Sequence, residues 1–489
     1  VPSPNADRFS ASWPSIDRHV AAPEWFQDAK FGIYHHWGAF SVPAFNSEWY
    51  PREMYRPGTA DREHHTKVYG DPAQWPYHYF IDGAPDRSGR FVQFAPRLKS
   101  SGGAFDPREW AQLIADAGAR FAGPVAEHHD GFSLWGSRVN EWNSVDRGPR
   151  LDLVSLFAEA YREQGLKVLV SLHHAFHFTG YFDHVPPQPT QTLRKLYGQL
   201  DPETENRLWL AKLEEVIDLV RPDVIYQDVN LDKIDEAAGL EFLAYYYNRA
   251  LEWGTEVVAT YKDGFNDKGE VYDYERGGPA DLTYPYWLTD DILSTSSWSY
   301  VEGISYHPLE VILHSLIDRV SKNGNVLLNI APTAEGVIPD EQRHLLLGIG
   351  DYLRRFGESI YETRAWEVYG EGPTAMGGGS FTEPLAGTAQ DVRYTRDKHN
   401  TVLYATILGW PASPLRLTTL AAGRIDLRGL RTVELIGAGA GEYLPLTDHR
   451  QDATGLHIAL PSAPPFSAPA YVLKLTFQGS VPPLASTSA

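Results

Sequence analysis

Histidines, a carboxylate or a lysine stand at the ends of five short apolar runs in this 489-residue chain, a set of side chains suited to acid–base work on a hydroxylated substrate. The runs are 31–34 leading into His35-His36-Trp37, 124–126 into Glu127-His128-His129-Asp130, 168–172 into His173-His174, 224–226 into Gln227-Asp228, and 257–260 into Tyr261-Lys262. Imidazoles, carboxylates and indoles together make a cradle for sugar hydroxyls, the indole covering a C–H face of the ring. Cleaving a glycosidic bond then needs two carboxyl groups, one ionised as nucleophile and one protonated as acid. Asp228, at the end of an apolar run, is the best-placed nucleophile, the alternative being a helix cap or a rim ion pair. For the acid, composition does not choose among Asp263, Asp267, Glu270, Asp273, Glu275, Asp281, Asp290 and Asp291. Glu275 follows Tyr272 and Tyr274, an aromatic setting whose desolvation would raise a carboxyl pKa.

A metal is not expected. Adjacent strand residues face opposite ways, so His128 and His129 cannot both reach one ion from a strand, and neither a His-x-His strand nor a His-Glu-x-x-His helix is present.

Runs of four to six apolar or β-branched residues suit strands buried on both faces, and helix signals separate them. Asp106-Pro107-Arg108-Glu109 starts a helix that stops at Gly118; further helices span about 152–164, 203–220, 235–253, 308–322 and 340–356, with a strand at 326–330. This alternation predicts a parallel sheet closed as a (β/α)8-like barrel over residues 1–362, with polar strand ends at its C-terminal rim. No glycine-rich phosphate loop opens these helices, which argues against a dinucleotide fold. Beyond residue 363, short β-rich segments at 401–408, 415–420, 431–436, 455–460 and 471–477 alternate with Gly, Pro and Asp turns. They predict an antiparallel β-sandwich over 363–478, and 479–489 reads as a disordered tail.

Forty-three basic against 63 acidic residues give a net charge of −20, which argues against nucleic acid or an anionic membrane as partner. The absence of cysteine rules out disulfides, thiolate nucleophiles and cysteine–metal centres. It leaves the compartment open, with a secreted or periplasmic setting favoured. No apolar stretch is long enough for a membrane helix, and the first residues, Val1 to Asn5, have no basic and apolar leader.

Several of these segments, in order, resemble the α-L-fucosidases of glycoside hydrolase family twenty-nine. They are Trp25-Phe26, Lys30-Phe31-Gly32-Ile33-Tyr34-His35-His36-Trp37-Gly38, Ser47-Glu48-Trp49-Tyr50, His128-His129-Asp130-Gly131-Phe132, Pro222 to Asp228, Trp298-Ser299-Tyr300 and Ser321 to Asn329. The resemblance implies a barrel followed by a β-sandwich, and a retaining double displacement on fucosylated glycans without metal or organic cofactor. It places Asp228 as nucleophile, Glu275 as acid/base, and His36, Glu48, Trp49, His128 and His129 around the fucose. The chain departs from the family pattern at Glu127, where lysine is frequent, at Tyr226, where tryptophan is, and at His173-His174, where an aromatic near the sugar is common. The usual asparagine-aspartate-arginine run is missing around Lys262, so an arginine contact is either replaced by Lys262 or lost. His173, Tyr226 and Lys262 therefore join the expected substrate-binding set and bear on specificity. A related α-L-galactosidase or transfucosidase activity is the nearer alternative, a non-catalytic carbohydrate-binding protein the more distant one; a homo-oligomer is left open.

Overall fold

The computed structural model describes residues 7–437, 439 and 441–486. Eight parallel strands close into a barrel: β1 (Phe31–His35), β2 (Phe121–Glu127), β3 (Lys167–Leu172), β4 (Val224–Gln227), β5 (Val258–Tyr261), β6 (Val271–Glu275), β7 (Trp287–Ile292) and β8 (Gly324–Ile330). Each pairs with its chain neighbours, and β1 pairs with β8 to complete the ring. Every residue of β1, β2, β4, β5, β7 and β8 is buried, as a sheet covered on both faces requires. At one point the fit leaves no room for a side chain: a Cβ on Gly123 of β2 would lie 1.4 Å from the Leu169 carbonyl oxygen of β3.

Six major helices belong to this layer: α1 (Pro107–Asp116), α2 (Leu153–Glu163), α3 (Pro202–Val220), α4 (Glu236–Trp253), α5 (Leu309–Ser321) and α6 (Asp340–Phe356). Local chemistry sets their ends. The carboxylates of Asp106, Asp152 and Asp201 accept the amides of Arg108, Ser155 and Thr204, satisfying donors that a helix start leaves free. No described helix is long and apolar enough to cross a membrane.

Strands β6 and β7 go beyond those the sequence pattern indicates. Asp273 and Glu275 in β6, and Asp290 and Asp291 in β7, interrupt any apolar run. No helix separates β5, β6 and β7; the loops 262–270 and 276–286 connect them. A segment of the second unit lies against this gap. Phe381 N–H donates to Glu275 O at 2.7 Å, Thr382 N–H to Arg276 O at 2.9 Å, and Gly278 forms a bridge with Gly379.

The second unit begins with β9 (Thr363–Glu371) and continues through β10 (Val392–Asp397), β11 (Val402–Ile407), β12 (Leu415–Leu417), β13 (Leu430–Ile436), β14 (Tyr443–Pro445), β15 (His449–Asp452), β16 (Gly455–Ile458) and β17 (Tyr471–Phe477). These make a six-stranded antiparallel sheet ordered β9-β10-β11-β17-β13-β14 and a three-stranded sheet ordered β12-β16-β15. One core joins both, including Trp366, Tyr394, Leu403 and Leu473 from the larger sheet and Leu417, Leu456 and Ile458 from the smaller. Buried Asp318 of α5 ties the unit to the barrel, accepting from Arg393 Nε of β10 at 2.7 Å and from Lys322 Nζ at 2.9 Å.

Of the tail expected from 479, residues 479–486 lie against the second unit, and 487–489 fall outside the described residues. Val481 is buried and donates its amide to Asn400 O at 2.8 Å, while Ala485 N–H reaches Arg424 O at 2.7 Å. One buried side chain and these backbone bonds hold the segment down.

Candidate active site

Strand parity builds this site in two layers. Residues two apart on a strand share a face, so Tyr34 lies one layer below His36, Tyr226 below Asp228, and Asp273 below Glu275. The upper layer opens into a cleft at the C-terminal rim. Its lining includes His36, Glu48, Trp49, His128, His129, His173, Asp228, Lys262, Glu275 and Trp298, with Tyr34 and Asp290 beneath.

Lys262 is the hinge of the charges. Its Nζ lies 2.5 Å from Asp228 Oδ1 and 2.8 Å from Glu275 Oε2, and 3.6 Å from Asp273 Oδ2. One ammonium thus contacts both carboxyl groups and keeps their nearest oxygens no more than about 5.3 Å apart, which excludes the roughly 6.5–9.5 Å spacing of inverting glycosidases for these oxygens. Burial works against the ammonium, yet Asp228, then Asp290, Glu275 and Asp273, hold it protonated well above the usual lysine range. Burial would also neutralise Asp228. Lys262 and His173, with hydrogen bonds from His129 and His173, instead keep its carboxyl well below the usual range. Glu275 goes the opposite way: burial, joined by the charges of Asp228 and Asp290, outweighs Lys262 and pushes it up to about 7. Two carboxyl groups on one ammonium thus differ in protonation near neutral pH, as an acid and a nucleophile must.

The histidines fill the opposite wall. His129 Nε2 lies 3.2 Å and His173 Nδ1 3.3 Å from Asp228 Oδ2, while His129 Nδ1 donates to His173 O at 2.7 Å. Asn329, at the end of β8, accepts from His36 Nδ1 at 2.7 Å and donates to Trp298 O at 2.6 Å, fixing the His36 ring and the Trp298 backbone. Burial lowers the pKa of His36, His128 and His173, so they face the cleft as neutral imidazoles. Glu48 accepts from Trp298 N at 3.0 Å and Ser297 Oγ at 3.3 Å; Trp49 leans on His129 with ring centroids 5.5 Å apart.

Two residue sets bring potential metal-ligand atoms within 4.8 Å of one another: His36, His128 and His173, and His129, His173 and Asp228. Both consist of side chains that line the cleft.

All the expected site residues converge here except Tyr226, which is buried beneath the cleft and donates toward Asp273 and Asp290 rather than lining it. His174 turns away, its Nε2 on Trp209 O. Glu127 is likewise structural, buried in an ion pair with Lys212 of α3 at 2.8 Å. The lining residues Tyr34, Asp290 and Trp298 had no role assigned from sequence. Asp290-Asp291 was the available signal: in a strand one of the two must face inward, and here Asp291 faces out to Arg319 at 2.7 Å while Asp290 faces in.

A closed β/α barrel whose rim carries two carboxyl groups on one ammonium, oppositely tuned, has the construction of a glycoside hydrolase. Comparison narrows the class. The Alpha-L-fucosidase family model matches residues 2–358 and the Alpha-L-fucosidase C-terminal domain model matches 387–476, so the chain belongs to the alpha-L-fucosidase family. It is 29% identical to the tissue alpha-L-fucosidase of Homo sapiens, over 96% of this chain and 92% of that one. The plasma alpha-L-fucosidase of Rattus norvegicus is 28% identical, over 93% and 90%. The Thermotoga maritima alpha-fucosidase solved in complex with fucose superposes with a TM-score of 0.73 at 26% identity, covering 96% of this chain and all of that one.

Proposed function

We propose that this protein is a retaining exo-α-L-fucosidase that removes terminal α-L-fucose from glycans or glycosides, with Asp228 as nucleophile and Glu275 as acid/base. The observation that carries the reading is Lys262 seated at once on Asp228 and Glu275, which holds the two carboxyl groups together while burial and the neighbouring charges leave Asp228 ionised and raise Glu275.

In the first step an Asp228 oxygen forms a bond to the anomeric carbon as the bond to the aglycone oxygen breaks, and Glu275 delivers its proton to that oxygen. A fucosyl ester on Asp228 results. Glu275, now ionised, takes a proton from water, whose oxygen attacks the anomeric carbon and displaces Asp228, restoring both starting states. His36, His128, His129, His173, Glu48 and Trp49 hold the sugar hydroxyls and ring, and the Trp298 indole covers an apolar face.

The configuration of the first-formed product tests this. Proton NMR at early times with an aryl α-L-fucoside is expected to show α-L-fucose before mutarotation builds the β-anomer. Initial β-L-fucose would mean inversion and would overturn the double displacement.

A further inference from the structure

The layer beneath the cleft has more hydrogen-bond contacts than hydrogens to make them. Tyr34 OH lies 2.8 Å from Asp290 Oδ2, and Tyr226 OH lies 2.8 Å from both Asp290 Oδ2 and Asp273 Oδ2. Two phenols supply two hydrogens for these three contacts. The carboxyl groups of Asp273 and Asp290 also meet each other. All three contacts are satisfied if one carboxyl carries a proton and donates it. Both aspartates are buried, and Oδ1 of each has no hydrogen-bond partner, so charge on both would leave bare anionic oxygens in the interior.

We propose that Asp273 and Asp290 hold a single proton between them, and that this acid pair, fixed by Tyr34 and Tyr226, is a positioning unit that keeps Lys262 seated between Asp228 and Glu275. The inference rests on the roles given above to Asp228 and Glu275. Around the pair stand Tyr34 from β1, Tyr226 and Asp228 from β4, Lys262 after β5 and Glu275 at the end of β6; Asp291 of β7 is turned outward to Arg319. Lys262 is the cation that meets this group. With one shared proton the pair contributes one negative charge below the ammonium, balancing the pull of Asp228 and Glu275 from above. With none, two charges below would draw Lys262 down toward Asp273, already 3.6 Å away, and off the catalytic carboxyls. Burial and the neighbouring Asp290 raise the Asp273 carboxyl well above its usual range, which agrees with the count of hydrogens.

Asparagine substitutions separate the charge states. Asp273→Asn or Asp290→Asn replaces the protonated partner with a neutral amide and leaves one carboxylate, so the net charge is unchanged. The basic limb of the kcat/KM profile, which follows loss of the Glu275 proton, is expected to stay in place in each single variant. In the Asp273→Asn/Asp290→Asn double variant the remaining charge is gone, and the limb is expected to move to lower pH by about one unit. If both carboxyls were ionised, each single variant would remove one of two charges and move the limb part of the way that the double does, so a clear shift in either single variant overturns the proposal; an unmoved limb in a folded double variant also overturns it. Infrared difference spectra read the proton without turnover. In a Glu275→Gln background, adding Asp273→Asn is expected to remove one protonated-carboxyl band at neutral pH, and an unchanged band region contradicts the shared proton. That reading stands whether or not Glu275 is the acid/base, so the two assignments can fail separately.

Discussion

Asp228→Asn is expected to lower kcat by at least about 10⁴-fold on every fucoside, activated or not, while the protein stays folded and still binds fucose. The loss is this large because two functions fall together. The nucleophile is gone, and Glu275 loses both the negative neighbour that raises it and Lys262's competing partner, so it tends to ionise. In the companion Asp228→Gly variant, activity with an aryl fucoside is expected to return in part with azide, a small anion that enters the space the removed side chain leaves. The product would be the inverted β-L-fucosyl azide. Thermal melting near that of the parent chain checks the fold; near-parental turnover in the variant would show that another group attacks.

Glu275→Ala divides substrates instead. An aryl aglycone departs with little help, so its cleavage should slow modestly, while a sugar or alkyl aglycone needs the proton and should lose about 10²–10⁴-fold. Asp228 keeps Lys262 and both histidines, so it stays ionised and the fucosyl ester still forms. Azide then intercepts that ester from the opposite face, giving α-L-fucosyl azide. The Asp228→Gly and Glu275→Ala variants therefore yield azides of opposite configuration. Equal losses on both kinds of aglycone, without azide rescue, would assign Glu275 a structural role.

These residues also show where the sequence was legible. The apolar runs of β1 to β5 and β8, the Asp106 cap of α1 and the change of texture at 363 are local patterns, visible because burial on both faces and helix starts each demand particular residue types. Strands β6 and β7 were hidden because inward carboxylates break the apolar pattern. Those carboxylates are tolerable only beside Lys262, Tyr34 and Tyr226, which barrel closure brings from other strands. That His36, His128, His129, Glu48, Trp49 and Asp228 would share one cleft was legible by motif. The joint contact of Lys262 with Asp228 and Glu275 was not, because loop 262–270 has no helix to announce its geometry. Tyr226 was placed too high by a layer, although its parity with Asp228 holds the reason: two residues along a strand share a face at different depths.

Covalent trapping tests the central assignment most directly. A 2-deoxy-2-fluoro-α-L-fucosyl donor with a good leaving group slows both steps but lets the ester accumulate, and proteolysis with mass spectrometry locates it. One fluorofucosyl group on Asp228, with matching loss of activity, is the expected result. An adduct on Glu275, Asp290 or any other side chain, or full turnover of a hydrolysable fucoside with no adduct formed, would contradict it.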